Sequence, residues 1–199
     1  YKEWNDNMIT IMSEKLTSFL CRKKIIPEDR KEIYQYGYEV LISGLLGFFI
    51  AGIIGLLMGR FFDAVIFLCV FVPVRRFCGG YHANTYLKCN IVFTFVFVLV
   101  MVVSGLMQRE ISFVYLVMLL LIYLWVIYKF SPMENSGKPL DEEQKIKNRK
   151  ISLMMSLICC VASSVVYFTS QRVAILIAMT LFAIACLLIA EKYRMLQKK

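Results

Sequence analysis

The sequence predicts an all-α membrane protein with about six transmembrane helices, the second one short, behind an N-terminal amphipathic helix on the cytoplasmic surface. Three observations carry that expectation. Of 199 residues, 59% are hydrophobic and 14% aromatic, more apolar surface than a soluble core of this length can hide. The apolar residues gather into runs at about 38–58, 61–74, 91–107, 111–128, 151–169 and 173–190, most of them near the ~20 residues that a helix needs to cross ~30 Å of hydrocarbon. The basic residues alternate between connections. Of 23 Lys and Arg, seven precede the first run, three lie in 75–90, six in 129–150 and four after 190, while the other connections hold one each, Arg60, Arg109 and Arg172. The positive-inside rule makes the rich side cytoplasmic, with both termini on it.

In order along the chain, residues 4–20 place Trp4, Met8, Ile9, Ile11, Met12, Leu16, Phe19 and Leu20 mainly at i, i+3, i+4 spacing with Lys and Glu between them. This is an amphipathic helix, lying either on the cytoplasmic leaflet or against the rest of the protein. Ile25-Ile26-Pro27 breaks it, and Pro27 suits the first turn of a new helix whose N-terminal dipole favours Glu28 and Asp29. That helix runs on into the first span. Within it Gly47, Ala51, Gly55 and Gly59 recur every four residues, a small-residue stripe that admits close helix approach, inside the chain or between two copies. The run 61–74 is short and carries Asp63, so it starts in the interface, tilts, or is shielded by neighbours. The connection 131–150 is polar, with Pro, Gly and mixed charge, and from Leu140 a short surface helix is expected to lead into the fifth span. Residues 1–36 thus read as an interfacial region and 37–199 as a single polytopic domain, with a functional loop at 75–90 and a basic loop at 129–150.

No charged start followed by a short apolar stretch and a small-residue cleavage site opens the chain, so no secretory signal peptide is expected, and the opening Tyr1 suggests that a few natural residues precede it. Topology and anionic lipid headgroups account for the net charge of +9 without nucleic acid. The seven cysteines follow no disulfide spacing. Cys69, Cys159, Cys160 and Cys186 lie in apolar runs, as small hydrophobes do, and Cys21, Cys78 and Cys89 fall on the reducing cytoplasmic side.

The chemistry concentrates in "VRRFCGGYHANTYLKCN", residues 74–90, which holds the only histidine. His82 and Cys89 are candidates for an imidazole–thiolate pair, the minimum for a cysteine peptidase. Arg75, Arg76 and Lys88 would favour the thiolate electrostatically. On an unbroken helix seven residues would separate the two side chains by ~10.5 Å along the axis. The backbone is therefore expected to bend at Gly79-Gly80, with Cys89 near the start of the third span. Two alternatives stay open: Cys78, four residues before His82, is a rival nucleophile, and Cys78, His82 and Cys89 could supply three zinc ligands, although no fourth is evident nearby.

The run Arg75-Arg76-Phe77-Cys78-Gly79-Gly80-Tyr81-His82-Ala83, followed after five residues by Cys89, resembles the signature of the accessory gene regulator protein B family. The looser features "YGYE" at 36–39 and "GKPLDEEQKIKNRK" extend the resemblance along nearly the whole chain. It implies a membrane-embedded cysteine endopeptidase that processes the precursors of cyclic quorum-sensing peptides in Gram-positive bacteria. By the same resemblance Cys89 is the nucleophile and His82 its acid–base partner, with no metal and no cofactor, while Gly80 shapes the turn and Arg75 binds the precursor or anchors the loop. It implies a precursor with an amphipathic N-terminus and an acidic C-terminal tail, and a homodimer. Arg76, Lys88, Lys138, Lys145, Lys147, Arg149 and Lys150 become candidate contacts for that tail, although positive-inside anchoring also explains them. Glu39, ionisable near the end of a span, is a candidate to orient His82, or else to pair with Arg75 or Arg76; Asn84 and Asn90 are weaker choices. Two readings compete. A small peptide transporter would place polar or ionisable groups at midmembrane, whereas spans three to six contain no charged residue, and a scaffold would be indifferent to substitution of Cys89.

Overall fold

The computed structural model describes residues 6–79, 85–107, 112–133 and 141–197, and among these every regular element is helical. The order is α1 (Asp6–Arg22), a 3-10 turn (Glu28–Arg30), α2 (Lys31–Leu57), α3 (Phe61–Cys78), α4 (Tyr86–Leu106), α5 (Phe113–Phe130), α6 (Glu142–Val166) and α7 (Gln171–Gln197). The 3-10 turn and α2 form one helical stretch, Glu28–Leu57, and it is one of five helices long and apolar enough to cross a membrane, with α4, α5, α6 and α7. The chain is a multi-pass membrane protein. Its 18-residue α3 carries Asp63, Arg75 and Arg76 and stands outside those five. The helix expected from Leu140 is the first part of α6, which continues without a break into the apolar stretch.

The described residues divide into two compact units, one drawn from 1–54 and 83–95, the other from 55–82 and 96–199. In the first unit α1 buries Ile9, Ser13 and Thr17 and leaves Met8, Ile11, Met12, Leu16 and Phe19 exposed. It therefore has a packed stripe and a second apolar face, the pattern of a helix that is both docked and membrane-facing. Lys24, in the left-handed region at φ 55°, ends α1 while the Ile25 amide donates to the Leu20 carbonyl at 3.0 Å.

Along α2 and α4 a parallel seam runs through this unit. Glu39 meets Tyr86, Ser43 meets Asn90, and a Cβ on Gly47 would touch the Phe93 ring at 3.5 Å. Each step advances by about one helical turn on both helices. The stripe expected at Gly47, Ala51, Gly55 and Gly59 is used largely within the chain. Ala51 is fully buried, Gly55 meets Ala64 so closely that a Cβ would lie 2.6 Å from it, and Gly59 sits in a turn at φ 63°.

The second unit is organised on α7, more than half of whose apolar stretch is buried and which packs against α3, α5 and α6. Phe67 stacks on Phe71 and meets the edge of Phe97, with ring centroids 5.0 and 5.1 Å apart. Asp63, in the first turn of α3, is buried yet well satisfied. It accepts from Arg60 at 2.6 Å and from Arg172 at 2.5 Å, while Arg60 also donates to the Met101 carbonyl and to Ser104. Of the alternatives for the short run, shielding by neighbours is what the structure provides. A carboxylate shared by two guanidiniums replaces the hydration that an apolar setting removes.

Candidate active site

Cys89 lies in the first turn of α4 and is half-buried. Thr85 caps that turn, accepting the Lys88 amide on its Oγ1 at 3.2 Å while its carbonyl accepts the Cys89 amide at 3.1 Å. A sulfur in the first turn sits at the positive end of the helix dipole, where negative charge is stabilised. Around the axis, at about 100° per residue, Cys89 is displaced by about 60° from Tyr86, so it flanks the face that docks on α2. Asn90, on that face, accepts from the Ser43 hydroxyl at 3.5 Å, and its carbonyl accepts from Thr94 at 2.8 Å.

Glu39, on α2, accepts from the Tyr86 hydroxyl at 3.0 Å and from the Ser13 hydroxyl at 3.4 Å. It joins three helices of the first unit at the turn that carries Cys89. Reasoning from the sequence missed Ser13, Ser43 and Tyr86. For Ser43 a signal existed: the every-fourth-residue stripe begins earlier than Gly47, at Glu39 and Ser43, in the same register.

The other root of the 75–90 segment belongs to the second unit. Arg75 is half-buried with its guanidinium 5.9 Å from the Phe71 ring centroid, and exposed Arg76 stands at the same distance from Phe77. Cys78 closes α3 and is fully buried. Burial pushes its thiol up to about 11, and hydrogen bonding with Ser131, Ser152 and Ser156 and the charge of Arg75 only partly counter that. Ser131 and Ser152 are themselves bonded at 2.8 Å, and Ser156 to Tyr123 at 2.6 Å.

Gly79 follows at φ 72°, ψ −152°, a conformation that L side chains resist. A Cβ there would stand 2.3 Å from the Met133 carbonyl oxygen. The Met133 amide in turn donates to the Cys78 carbonyl at 2.9 Å. The α5–α6 connection therefore forms a seat that only glycine can occupy at this position.

Gly80 and His82, with Asn84 and Lys138, lie outside the described residues. Lys88 is exposed on the Cys89 turn. On α6, Lys145 is paired with Glu142 at 2.7 Å, and Arg149 lies over the Tyr128 ring and donates to the Tyr128 carbonyl at 3.4 Å. Lys147 and Lys150 are exposed. Among the described residues no three His, Cys, Asp or Glu side chains gather as a metal site.

Residues 13–189 match the model of the family described as accessory gene regulator B. The chain is 27% identical over 154 residues to an AgrB-like protein of Clostridium perfringens (strain SM101 / Type A), covering 73% of this chain and 68% of that protein. It is 26% identical over 178 residues to AgrB-like protein 2 of Clostridium perfringens (strain 13 / Type A), covering 83% and 79%. To the accessory gene regulator protein B of Staphylococcus intermedius it is 26% identical over 131 residues, 63% of this chain and 68% of that one. No solved structure matches the chain.

Proposed function

This chain belongs to the accessory gene regulator B family and takes part in quorum-sensing peptide processing, and from that premise we propose that it is a membrane cysteine endopeptidase whose nucleophile is Cys89. The observation that carries the reading is the setting of Cys89, half-buried in a capped first helical turn seven residues after the only histidine. His82 takes the thiol proton as the sulfur attacks the scissile carbonyl, then gives it to the departing amine. The C–N bond breaks, a thioester to Cys89 forms, and the acidic tail leaves. A cysteine within the held N-terminal part then attacks that thioester through its own sulfur. This closes a thiolactone and returns the Cys89 thiolate, which is reprotonated; a serine would close a lactone.

The site faces the cytoplasm in this reading, by the excess of Lys and Arg in the connections that share its side. Arg60 and Arg172, two of the three basic residues in the alternate connections, are tied to Asp63. That pairing sharpens the asymmetry, and it also weighs against transport, since the acidic group in the second apolar run is already committed. A substrate with an amphipathic helix reaches the site by diffusing in the leaflet. Arg76, Lys147 and Lys150 are the exposed cations best suited to hold an acidic tail, with Lys145 and Arg149 engaged in their own helix surface.

The test uses purified protein in lipid with a synthetic precursor carrying an amphipathic N-terminus, an internal cysteine and an acidic tail. Cys89→Ala and His82→Ala should each abolish cleavage, a loss of at least ~1,000-fold, while Cys78→Ala keeps it. Cleavage by Cys89→Ala would contradict the reading. Product masses separate cyclisation from hydrolysis by one water.

A further inference from the structure

Helix ends fray, and the amides of the first turn lack intrahelical partners. A nucleophile placed there needs its direction fixed by something other than the helix. Among the contacts at the start of α4 are the Thr85 cap, the Asn90–Ser43 hydrogen bond and the Tyr86–Glu39 hydrogen bond. The cap resists unwinding but leaves rotation about the axis open. The Ser43 bond, at 3.5 Å, is long. The Tyr86 hydroxyl, at 3.0 Å from a carboxylate, is the stronger of the two that reach another helix and the nearer to the start of α4.

We propose that Tyr86 is a positioning residue for Cys89, and that Glu39 acts on the reaction through Tyr86. The inference rests on the nucleophile assigned above. The Ser13 hydroxyl on α1 shares its one proton between the Thr10 carbonyl at 2.9 Å and the other carboxylate oxygen at 3.4 Å, so the amphipathic helix touches the same bracket only weakly. Because Tyr86 and Cys89 share one turn, releasing the ring lets that turn rotate and carries the sulfur away from its proton partner. Errors of about 1 Å at a reacting atom cost rate steeply, on the order of 100-fold in unfavourable cases.

The probe is iodoacetamide, with alkylation of Cys89 in the full-length protein in lipid followed by mass spectrometry from pH 5 to 10. Tyr86→Phe should slow alkylation at pH 7 by about tenfold and raise the midpoint of the rate–pH curve by about one unit, as weaker pairing with the imidazole requires. Glu39→Gln should do the same, and the double variant should be no slower than either single one. Simple loosening of the fold would instead expose the sulfur and speed alkylation. A wild-type rate and midpoint in Tyr86→Phe overturn the proposal. So does an additive double variant, which would mean that Glu39 acts on the imidazole directly. Should Tyr86→Phe fold poorly, Glu39→Asp, which keeps the charge but withdraws it by a methylene, should reproduce the slow alkylation; a wild-type profile there overturns the proposal equally. Failure of the peptidase reading shows separately, as cleavage by Cys89→Ala.

Discussion

Cys78 and Cys89 are the same residue type, eleven positions apart, at opposite kinds of helix end. Cys78 closes α3, where the dipole disfavours an anion, and is fully buried among Ser131, Ser152 and Ser156. Cys89 opens α4, where the dipole favours an anion, and is half-buried. Composition and nearness to His82 would choose Cys78 as readily as Cys89. Position on the helix decides the contrast: one sulfur is packed into a seat at a helix C-terminus, the other stands half-buried at a helix N-terminus, the setting that favours a thiolate.

The widest break in that comparison should come from alkylation selectivity. With its thiol pushed up to about 11, Cys78 is ionised at pH 7 in only about one molecule in 10,000. Iodoacetamide should therefore modify Cys89 at least ~100-fold faster than Cys78, read as modified peptides after digestion. Equal rates would erase the distinction.

Next in size is Gly79→Ala, which adds a Cβ at a positive φ directly against the Met133 carbonyl. Thermal unfolding in detergent should show a loss of about 2–4 kcal/mol. Cleavage should fall as the root of the loop shifts, while Cys78→Ala leaves cleavage in place. A neutral Gly79→Ala would show that the seat on 131–133 has no role.

Smaller is the pH dependence of stability. Folding raises the Cys78 thiol from its ordinary 9.0 to about 11. The unfolded thiol then loses its proton first, so this contribution is complete below pH 9 and is lost as pH rises toward 11. Wild-type protein should lose stability across that window, and Cys78→Ala should lose less. Ser131→Ala should have the least effect, about 1 kcal/mol, by removing one hydroxyl from the cluster.

The sequence carried the membrane-spanning plan well. Each apolar run has a helix, because runs of that length have few ways to satisfy their backbone in hydrocarbon other than coiling. The tie to the accessory gene regulator B family was legible in the motif from Arg75 to Cys89, and the bend at Gly79 was legible because a Gly-Gly pair is a backbone signal. Long-range partners were not legible. Nothing local in Met133 says that its carbonyl lies on Gly79, or that Arg172 reaches Asp63 across 109 residues. Glu39 shows the same limit. Its ionisable side chain at the end of a span announced a partner, but Tyr86, one of 11 tyrosines, could be singled out only once the register of α2 on α4 was known.

The most direct test of Cys89 as nucleophile is to quench the reaction of wild-type protein and synthetic precursor with acid within its first turnover and weigh the intact protein. The assignment predicts a hydroxylamine-labile adduct with the mass of the precursor's N-terminal part, mapping to the peptide that contains Cys89. Turnover with no such adduct, or an adduct on Cys78, would contradict it.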